Sequence, residues 1–161
     1  MWRFKYLAVV KIVDYTEERK EYIKLLNYEW LQKYFEVEDN DVVQLSNPKE
    51  EIIDIGGKIY YALYNNNVVG TASLMKINDT EYELAKMAVT ENAQGLGIGK
   101  LLLEHCINEV QLLQVKKLSL YSNTKLERAI TLYRTYGFLE TPMPTDIHYK
   151  RANIKMEKIF L

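Results

Sequence analysis

Between two predicted elements the chain reads Gln94-Gly95-Leu96-Gly97-Ile98-Gly99-Lys100, and this stretch decides the fold. It follows an apolar, strand-like run at residues 84–89 and precedes a long amphipathic segment typical of a helix. Glycine at alternate positions lets a loop curl so that its backbone N–H groups point outward. Those donors, with the positive end of the helix dipole behind them, predict a site for a phosphate-bearing ligand.

Two familiar phosphate-binding loops do not fit this spacing. A P-loop ending at Gly99-Lys100 would need its first glycine where Gln94 stands and a hydroxyl residue where Leu101 stands. A dinucleotide fingerprint would need its third glycine at Lys100 or Leu102, and residues 115–126 hold no carboxylate for a ribose. Nucleotide triphosphate hydrolysis and dinucleotide binding are therefore not predicted.

A purely structural role for the glycines, as a turn that caps the next helix, remains an alternative. The third glycine, Gly99, falls inside the first predicted helical turn, where glycine costs about 1 kcal/mol relative to alanine. Close approach of a ligand to the backbone would explain why that cost is tolerated.

Composition predicts one globular domain over residues 1–161, with 48% hydrophobic and 27% charged residues. The net charge of −1 favours neither nucleic acid nor an anionic membrane as a partner. The single cysteine, Cys106, cannot form an internal disulfide, and Met1 to Lys5 lack the features of a signal peptide. We therefore expect a cytoplasmic protein.

The hydrophobic pattern predicts seven strands and several helices. Strands are predicted at residues 7–13, 58–64, 68–77, 81–90, 117–121, 138–139 and 154–160. A first helix would be capped by Thr16, a short one would run from Pro48 to residue 53, and two longer ones would cover residues 98–113 and 125–136. Residues 36–41 are rich in acid and predict a loop. The fold class is therefore α/β (α+β), a mixed single sheet with helices on both faces.

Two motifs together resemble the GNAT superfamily of acyl-CoA-dependent N-acetyltransferases. The first is Gln94-x-x-Gly97-x-Gly99, which follows a strand ending at Val89. The second is Ala129-Ile130-x-Leu132-Tyr133-x-x-x-Gly137-Phe138. The predicted order of elements agrees with that family from about residue 7 to residue 160. The resemblance implies a mostly antiparallel sheet of six to seven strands, splayed between the fourth and fifth strands to admit a thioester.

The resemblance also implies where coenzyme A binds, with acetyl-CoA as co-substrate and no metal. The glycine loop would hold the pyrophosphate, and strand backbone would pair with the pantetheine arm. Many family members carry an asparagine three residues before the alanine equivalent to Ala129, but Leu126 stands there, and Asn123 lies nearby as a substitute. The expected cofactor-binding residues are Met87, Ala88, Val89, Gln94, Gly95, Leu96, Gly97, Ile98, Gly99, Lys100 and Asn123.

Two catalytic residues are expected from the same resemblance. Tyr133 would donate a proton or hydrogen bond to the departing thiolate, since a phenol stays protonated at neutral pH. Glu83 would be the general base, with a water chain as the alternative that other members use. We assign no catalytic role to His105, His148 or Cys106.

The acceptor and the mode of action stay open at the level of sequence. An amine of a small molecule or peptide is expected, with no nucleic acid or membrane partner and a homodimer as a possibility. The acidic residues 36–41 are either a solvated loop or an attractant for a cationic amine. A non-catalytic acyl-CoA sensor or an interaction module is the competing interpretation of the whole chain.

Overall fold

The computed structural model describes residues 9–147 and 149–161, and it contains one seven-stranded sheet. The sheet order is β1-β2-β3-β4-β5-β7-β6, and all neighbours are antiparallel except the parallel pair β4–β5. Its strands are β1 Val10–Asp14, β2 Lys58–Tyr64, β3 Asn67–Lys76, β4 Glu81–Val89, β5 Lys117–Ser122, β6 Leu139–Thr141 and β7 Ile154–Ile159. The first two residues of the predicted strand 7–13 lie outside the described residues, as does His148.

Helices cover both faces of this sheet, which confirms the predicted fold class. They are α1 Lys20–Tyr34, α2 Asp39–Ser46, α3 Ile98–Leu112 and α4 Glu127–Thr135. Leu31 of α1 and Leu45 of α2 pack with Tyr61 on one face. Leu102 of α3 and Ile130 of α4 belong to the larger core on the other face. The short predicted helix at residues 48–53 is a π-helical turn, Lys49–Ile53.

Two local predictions near the N-terminal helices were wrong. Thr16 makes no side-chain capping hydrogen bond, because a short 3-10 turn, Glu17–Arg19, precedes α1. The predicted acidic loop at residues 36–41 is wrong in its second half, because residues 36–38 are a loop but Asp39 to Asp41 form the first turn of α2. Acidic side chains in a first helical turn are favoured by the helix dipole, and Asp41 accepts the Glu38 N–H at 2.9 Å.

An irregularity in β4 changes which side chains share a face. Thr71 lies opposite Ala88 and Ser73 opposite Ala85, so β4 holds one residue more than β3 between these pairs. The extra residue is a β-bulge, and Lys86 within it has a left-handed φ of 54°. Before the bulge Leu84 faces the larger core, and after it Met87 does. The alternation of the strand is therefore reset by one residue.

The sheet opens between β4 and β5. These strands pair only from Glu81 opposite Lys117 to Leu84 opposite Leu120, and no pairing follows beyond that point among the described residues. The remaining half of β4 keeps its partner on the β3 side alone. The predicted splay between the fourth and fifth strands is thus confirmed, and it leaves a backbone edge of β4 facing a gap.

Candidate active site

A cleft of about 1020 Å³ occupies the gap between β4 and β5. Its walls come from the second half of β4, the glycine loop, the end of β5, the start of α4 and the C-terminal half of α1. Residues 149, 151 and 152, which precede β7, complete one side. The cleft is at the large end of the range for small-molecule and cofactor sites, so an extended ligand can be held in it.

The glycine loop forms one end of this cleft. Gly95 and Gly97 have left-handed φ values of 84° and 77°, which explains why glycine stands there. A Cβ added at either position would meet no described atom within 4 Å, so the space beside the loop is open. Gly97 directly precedes α3, whose first N–H groups have no partner within the helix. The loop thus presents donors and a helix N-terminus to the cleft.

Most predicted loop residues line the cleft. Gln94, Gly95, Gly97, Ile98, Gly99 and Lys100 do so, whereas the side chain of Leu96 is half exposed outside it. The Gln94 side chain donates to the carbonyl of Val89 at 3.2 Å and so ties the loop to the end of β4. An added Cβ at Gly99 would lie 3.5 Å from the Met87 side chain, an ordinary contact. Crowding within the protein therefore does not explain why glycine, with its low helix propensity, stands at position 99.

The free edge of β4 supplies the floor of the cleft. Met87, Ala88 and Val89 all line it, as the sequence predicted. The bulge is fixed from the α1 side, because Asn27 donates to the carbonyl of Lys86 at 3.1 Å. The backbone beyond Leu84 is thereby held in place without a β5 partner, ready for an extended ligand to add alongside it.

Glu83 reaches the cleft from the α1 face of the sheet. It is 8% exposed, and its carboxylate makes no hydrogen bond or ion pair with any residue in the described part of the chain. Burial raises its pKa to about 7, against an opposing effect of the Lys86 charge. A carboxyl group with that pKa exchanges a proton readily near neutral pH.

Tyr133 reaches the cleft from the opposite face, on α4. It is 9% exposed and packs against Phe138 at a ring distance of 5.9 Å. Burial raises the pKa of its hydroxyl to about 12, so the phenol is protonated at neutral pH. Within the described residues this hydroxyl makes no hydrogen bond, which leaves it free to donate into the cleft. The structure therefore brings Glu83 and Tyr133 into one cavity.

Asn123 also lines the cleft, but its amide is already engaged. It donates to the carbonyl of Arg151 at 2.7 Å and accepts the N–H of Lys125 at 2.9 Å. These bonds hold the turn after β5 against the segment before β7. Of the two amide hydrogens, one remains for a ligand.

Sequence analysis did not predict a buried ionic cluster that lies on the α1 side of the sheet. Asp41 is fully buried and accepts two hydrogen bonds from Arg151, at 2.6 and 2.8 Å, and one from Lys86 at 3.1 Å. Lys86 also donates to the hydroxyl of Tyr149 at 2.9 Å, which donates to Gln44 at 2.7 Å. We call these residues the Asp41 cluster: Asp41, Gln44, Lys86, Tyr149 and Arg151.

This cluster removes Asp41 from both interpretations of the acidic run, whereas Glu36 and Asp39 of that run are exposed. Asp41 is not solvated, and its charge is matched by two cations rather than left to attract a substrate amine. Burial raises the pKa of Asp41, but the Arg151 hydrogen bonds and the Lys86 charge outweigh it and hold the pKa below its ordinary value. The partners are 45 and 110 residues away, so spacing alone could not reveal them. A charged Lys86 inside an apolar strand was the available signal.

The remaining candidates lie away from the cleft. His105 packs on Tyr60 at a ring distance of 4.4 Å, and Cys106 is fully buried, with burial raising the pKa of its thiol. No group of three or more possible metal ligands occurs among residues 9–147 and 149–161. In the same ranges no helix is both long and apolar enough to cross a bilayer.

Comparisons with known proteins agree with this geometry. The family model described as the acetyltransferase (GNAT) family matches residues 22–138. The fold is similar to a GNAT-family acetyltransferase from Staphylococcus aureus Mu50, with a TM-score of 0.84 and 23% identity over 94% of this chain and 99% of that one. No curated protein sequence matches the chain significantly.

Two further solved structures share the fold. An acetyltransferase from Streptococcus agalactiae 2603 has a TM-score of 0.82 at 17% identity, covering 94% of this chain and 98% of that one. The PaiA N-acetyltransferase from Thermoplasma acidophilum, solved in complex with coenzyme A, has a TM-score of 0.73 at 17% identity, covering 94% and 99%. The family match, which spans well over half of the residues, shows that this chain belongs to the acetyltransferase (GNAT) family.

Proposed function

We propose that the protein transfers the acetyl group of acetyl-CoA to a primary amine of a small molecule or peptide, by direct attack in a ternary complex. The observation that carries this proposal is the meeting of Glu83 and Tyr133, from opposite faces of the sheet, in the cleft that the glycine loop closes. An acid with a pKa near neutrality and a protonated phenol are the two groups that such a transfer needs.

Acetyl-CoA fits the cleft in one orientation. The pyrophosphate is bound by backbone N–H groups of residues 94–100 at the start of α3, with Lys100 adding positive charge. The pantetheine arm runs along the free edge of Met87, Ala88 and Val89 as an added strand, with Asn123 at its other side. The acetyl group then lies between Glu83 and Tyr133. Structural relatives crystallised with coenzyme A or acetyl-CoA support this assignment.

The chemical step balances with these two residues. Glu83 takes one proton from the ammonium of the acceptor and passes it to solvent. The neutral nitrogen attacks the thioester carbonyl, so that a C–N bond forms and the C–S bond breaks. Backbone N–H groups of residues 87–89 stabilise the oxyanion. Tyr133 gives its proton to the departing sulfur and recovers one from the acylated nitrogen, so free coenzyme A and an amide result.

Deprotonation of the acceptor is the step for which Glu83 matters most. With a pKa of about 10.4, only about one amine in 2,500 is neutral at pH 7, a handicap of roughly 4.6 kcal/mol. A carboxylate inside the cleft removes this proton where the attack occurs. Because Asp41 is already paired with Lys86 and Arg151, its charge is not available to select the acceptor. We expect the reaction to take place in the cytoplasm.

A panel of primary amines tests the proposal, with release of free coenzyme A as the measurement. We expect turnover with at least one amine and a loss of about tenfold or more in Tyr133→Phe, since one proton donor contributes that much. Acetyl-CoA affinity, measured by isothermal titration, should be nearly unchanged in that variant. Tyr136→Phe is the matched control, because Tyr136 is bonded to Glu104 outside the cleft.

The alternatives give different results in the same experiment. Acetyl-CoA binding without turnover on any amine would support a non-catalytic acyl-CoA sensor. No acetyl-CoA binding at all would mean that the glycines are only structural. Equal turnover in Tyr133→Phe and the wild type would refute the role of Tyr133.

A further inference from the structure

We propose that Lys86 is a positioning residue for this reaction: its ammonium, which the bulge of β4 brings to the same face and the same cleft as Glu83, holds Glu83 as a carboxylate ready to accept the amine proton. The inference rests on the proposed function and extends it to a residue outside both motifs. It is carried by strand geometry, by the contacts of Lys86 and by the lack of any hydrogen-bond or ion-pair partner for Glu83 in the described part of the chain.

The bulge is what brings the two side chains to one face. In a regular strand, residues 83 and 86 point to opposite faces, because side chains alternate. The extra residue in β4 resets this alternation, so Glu83 and Lys86 both face the α1 side and both line the cleft. Lys86 adopts a left-handed φ of 54°, which is uncommon for a residue with a long side chain. Asn27 holds this strained peptide by its hydrogen bond to the Lys86 carbonyl.

The Lys86 side chain is fixed and buried rather than free to reach solvent. Its side chain is 4% exposed, and its ammonium donates to Asp41 at 3.1 Å and to Tyr149 at 2.9 Å. It also lies 4.5 Å from the centre of the Tyr149 ring. Burial lowers the pKa of Lys86, and the Asp41 carboxylate opposes this by favouring the charged form. An ammonium has three donors, so one N–H remains for the cleft.

The other charges near Glu83 cannot replace Lys86. Glu81, on the same strand, carries a like charge and disfavours a carboxylate at Glu83. Lys155, on β7, acts on Glu83 less than Lys86 does and is paired with Glu157 at 3.1 Å. Tyr149 is a neutral phenol at working pH because burial raises its pKa. Arg151 faces Asp41. Lys86 is therefore the principal favourable charge for Glu83 among the described residues.

In this arrangement the Asp41 cluster favours the charged form of Lys86. An unpaired buried ammonium would lose its proton, so Lys86 needs a buried counter-ion to act on Glu83. Asp41 is that counter-ion, and Arg151 is a second cation bonded to the same carboxylate. Glu38 in turn pairs with Arg151 at 3.1 Å. With Glu38 included, two cations face two carboxylates, and Asp41 favours the charged form of Lys86 at the acceptor side of the cleft.

Carboxyl titration by NMR tests the proposal without any substrate. Protein labelled at glutamate carboxyl carbons is titrated as wild type, Lys86→Met and Lys86→Arg, and Glu83→Gln identifies the signal. We expect the Glu83 midpoint to rise by about one pH unit in Lys86→Met, the low end of the effect of a nearby opposite charge. Lys86→Arg should reverse most of the shift, and Lys155→Met should shift the midpoint less.

Kinetics provide the second readout. The acid limb of kcat/KM against pH should move to higher pH in Lys86→Met by the same amount as the NMR midpoint, while the KM for acetyl-CoA is retained. A folded Lys86→Met protein with an unchanged midpoint, or with a rate reduced equally at every pH, would overturn the proposal. Should Lys86→Met fail to fold, the wild type decides: the Lys86 Cε signal must inflect at the Glu83 midpoint, and a flat signal would overturn the proposal.

The two proposals fail in distinguishable ways. A Glu83 midpoint that depends on Lys86, in a protein that acetylates no amine, would support the coupling and refute the proposed function. Acetyl transfer whose pH profile is the same in the wild type and in Lys86→Met would support the proposed function and refute the coupling.

Discussion

At the scale of single residues, the burial that suits Glu83 to its proposed role as general base also lowers the stability of the fold. Its pKa of about 7 lies above the ordinary value of 4.5 because the carboxylate is buried. Such a group favours the folded state only while it is protonated, so its effect on stability becomes unfavourable as pH rises from the ordinary value through about 7. A shift of this size corresponds to about 3 kcal/mol.

Glu83→Gln should therefore stabilise the protein in a pH-dependent way. We expect the free energy of unfolding of the variant to exceed that of the wild type by about 2 to 3 kcal/mol more at pH ~8 than at pH ~5, because glutamine has no charge to bury. Urea unfolding at both pH values measures this difference. Glu81→Gln, on the same strand, is the control, and an equal effect of the two variants would contradict the account.

Sequence reasoning was effective for residues that stand in a motif and ineffective for those that a bulge or a distant segment positions. Tyr133 and Glu83 were named from the resemblance, and both line the cleft. Lys86 and Asp41 were not named as partners. Their contact depends on one extra residue in β4 and on α2, whose acidic first turn was predicted to be a loop. Neither the bulge nor this short helix produces a hydrophobic periodicity that sequence analysis could detect.

At the scale of elements, α2 and the segment before β7 are held together by the Asp41 cluster. Arg151 bonds to Asp41 and Glu38, and Tyr149 bonds to Gln44, so side-chain contacts join these two parts of the cleft wall. The Arg151 guanidinium also lies 5.8 Å from the ring of Trp30 on α1. This wall of the cleft is thus built from elements that are far apart in sequence.

Asp41→Asn should weaken this wall strongly, because it leaves Lys86 buried without a counter-charge and leaves Arg151 with Glu38 alone. We expect a loss of about 3–5 kcal/mol in the free energy of unfolding at neutral pH. The pKa of Asp41 is below the ordinary 3.8, so the difference is present above that value and diminishes as pH falls through it. Thermal or urea unfolding measures it. Asp39→Asn, exposed in the same helical turn, should change stability little; equal losses would contradict the account.

The elements themselves were predicted in proportion to the length and regularity of their patterns. The continuous apolar run of β2, Lys58–Tyr64, was predicted with the observed bounds, and α3 with an error of one residue at its C-terminus. By contrast α2, Asp39–Ser46, was missed, since eight residues with three polar residues in the first turn resemble a loop. Its stability comes from the buried contacts of Asp41 and Leu45, which are tertiary.

At the scale of the whole molecule, the activity depends on a sheet that is closed at one end and open at the other. Where β4 and β5 pair, side chains such as Leu84 and Leu120 fill the core. Where they diverge, groups from both faces of the sheet reach the same cavity, so the proposed general base and the proposed proton donor can act on opposite sides of one thioester. A fully paired sheet would separate Glu83 from Tyr133 by a layer of backbone.

A crystal structure of the protein with acetyl-CoA bound would test the central claim most directly. We predict that the diphosphate lies on the backbone N–H groups of residues 95–100, that the pantetheine arm follows residues 87–89, and that the thioester lies between Glu83 and Tyr133. A cofactor bound elsewhere, with the glycine loop empty and the gap between β4 and β5 closed by side chains, would contradict the account.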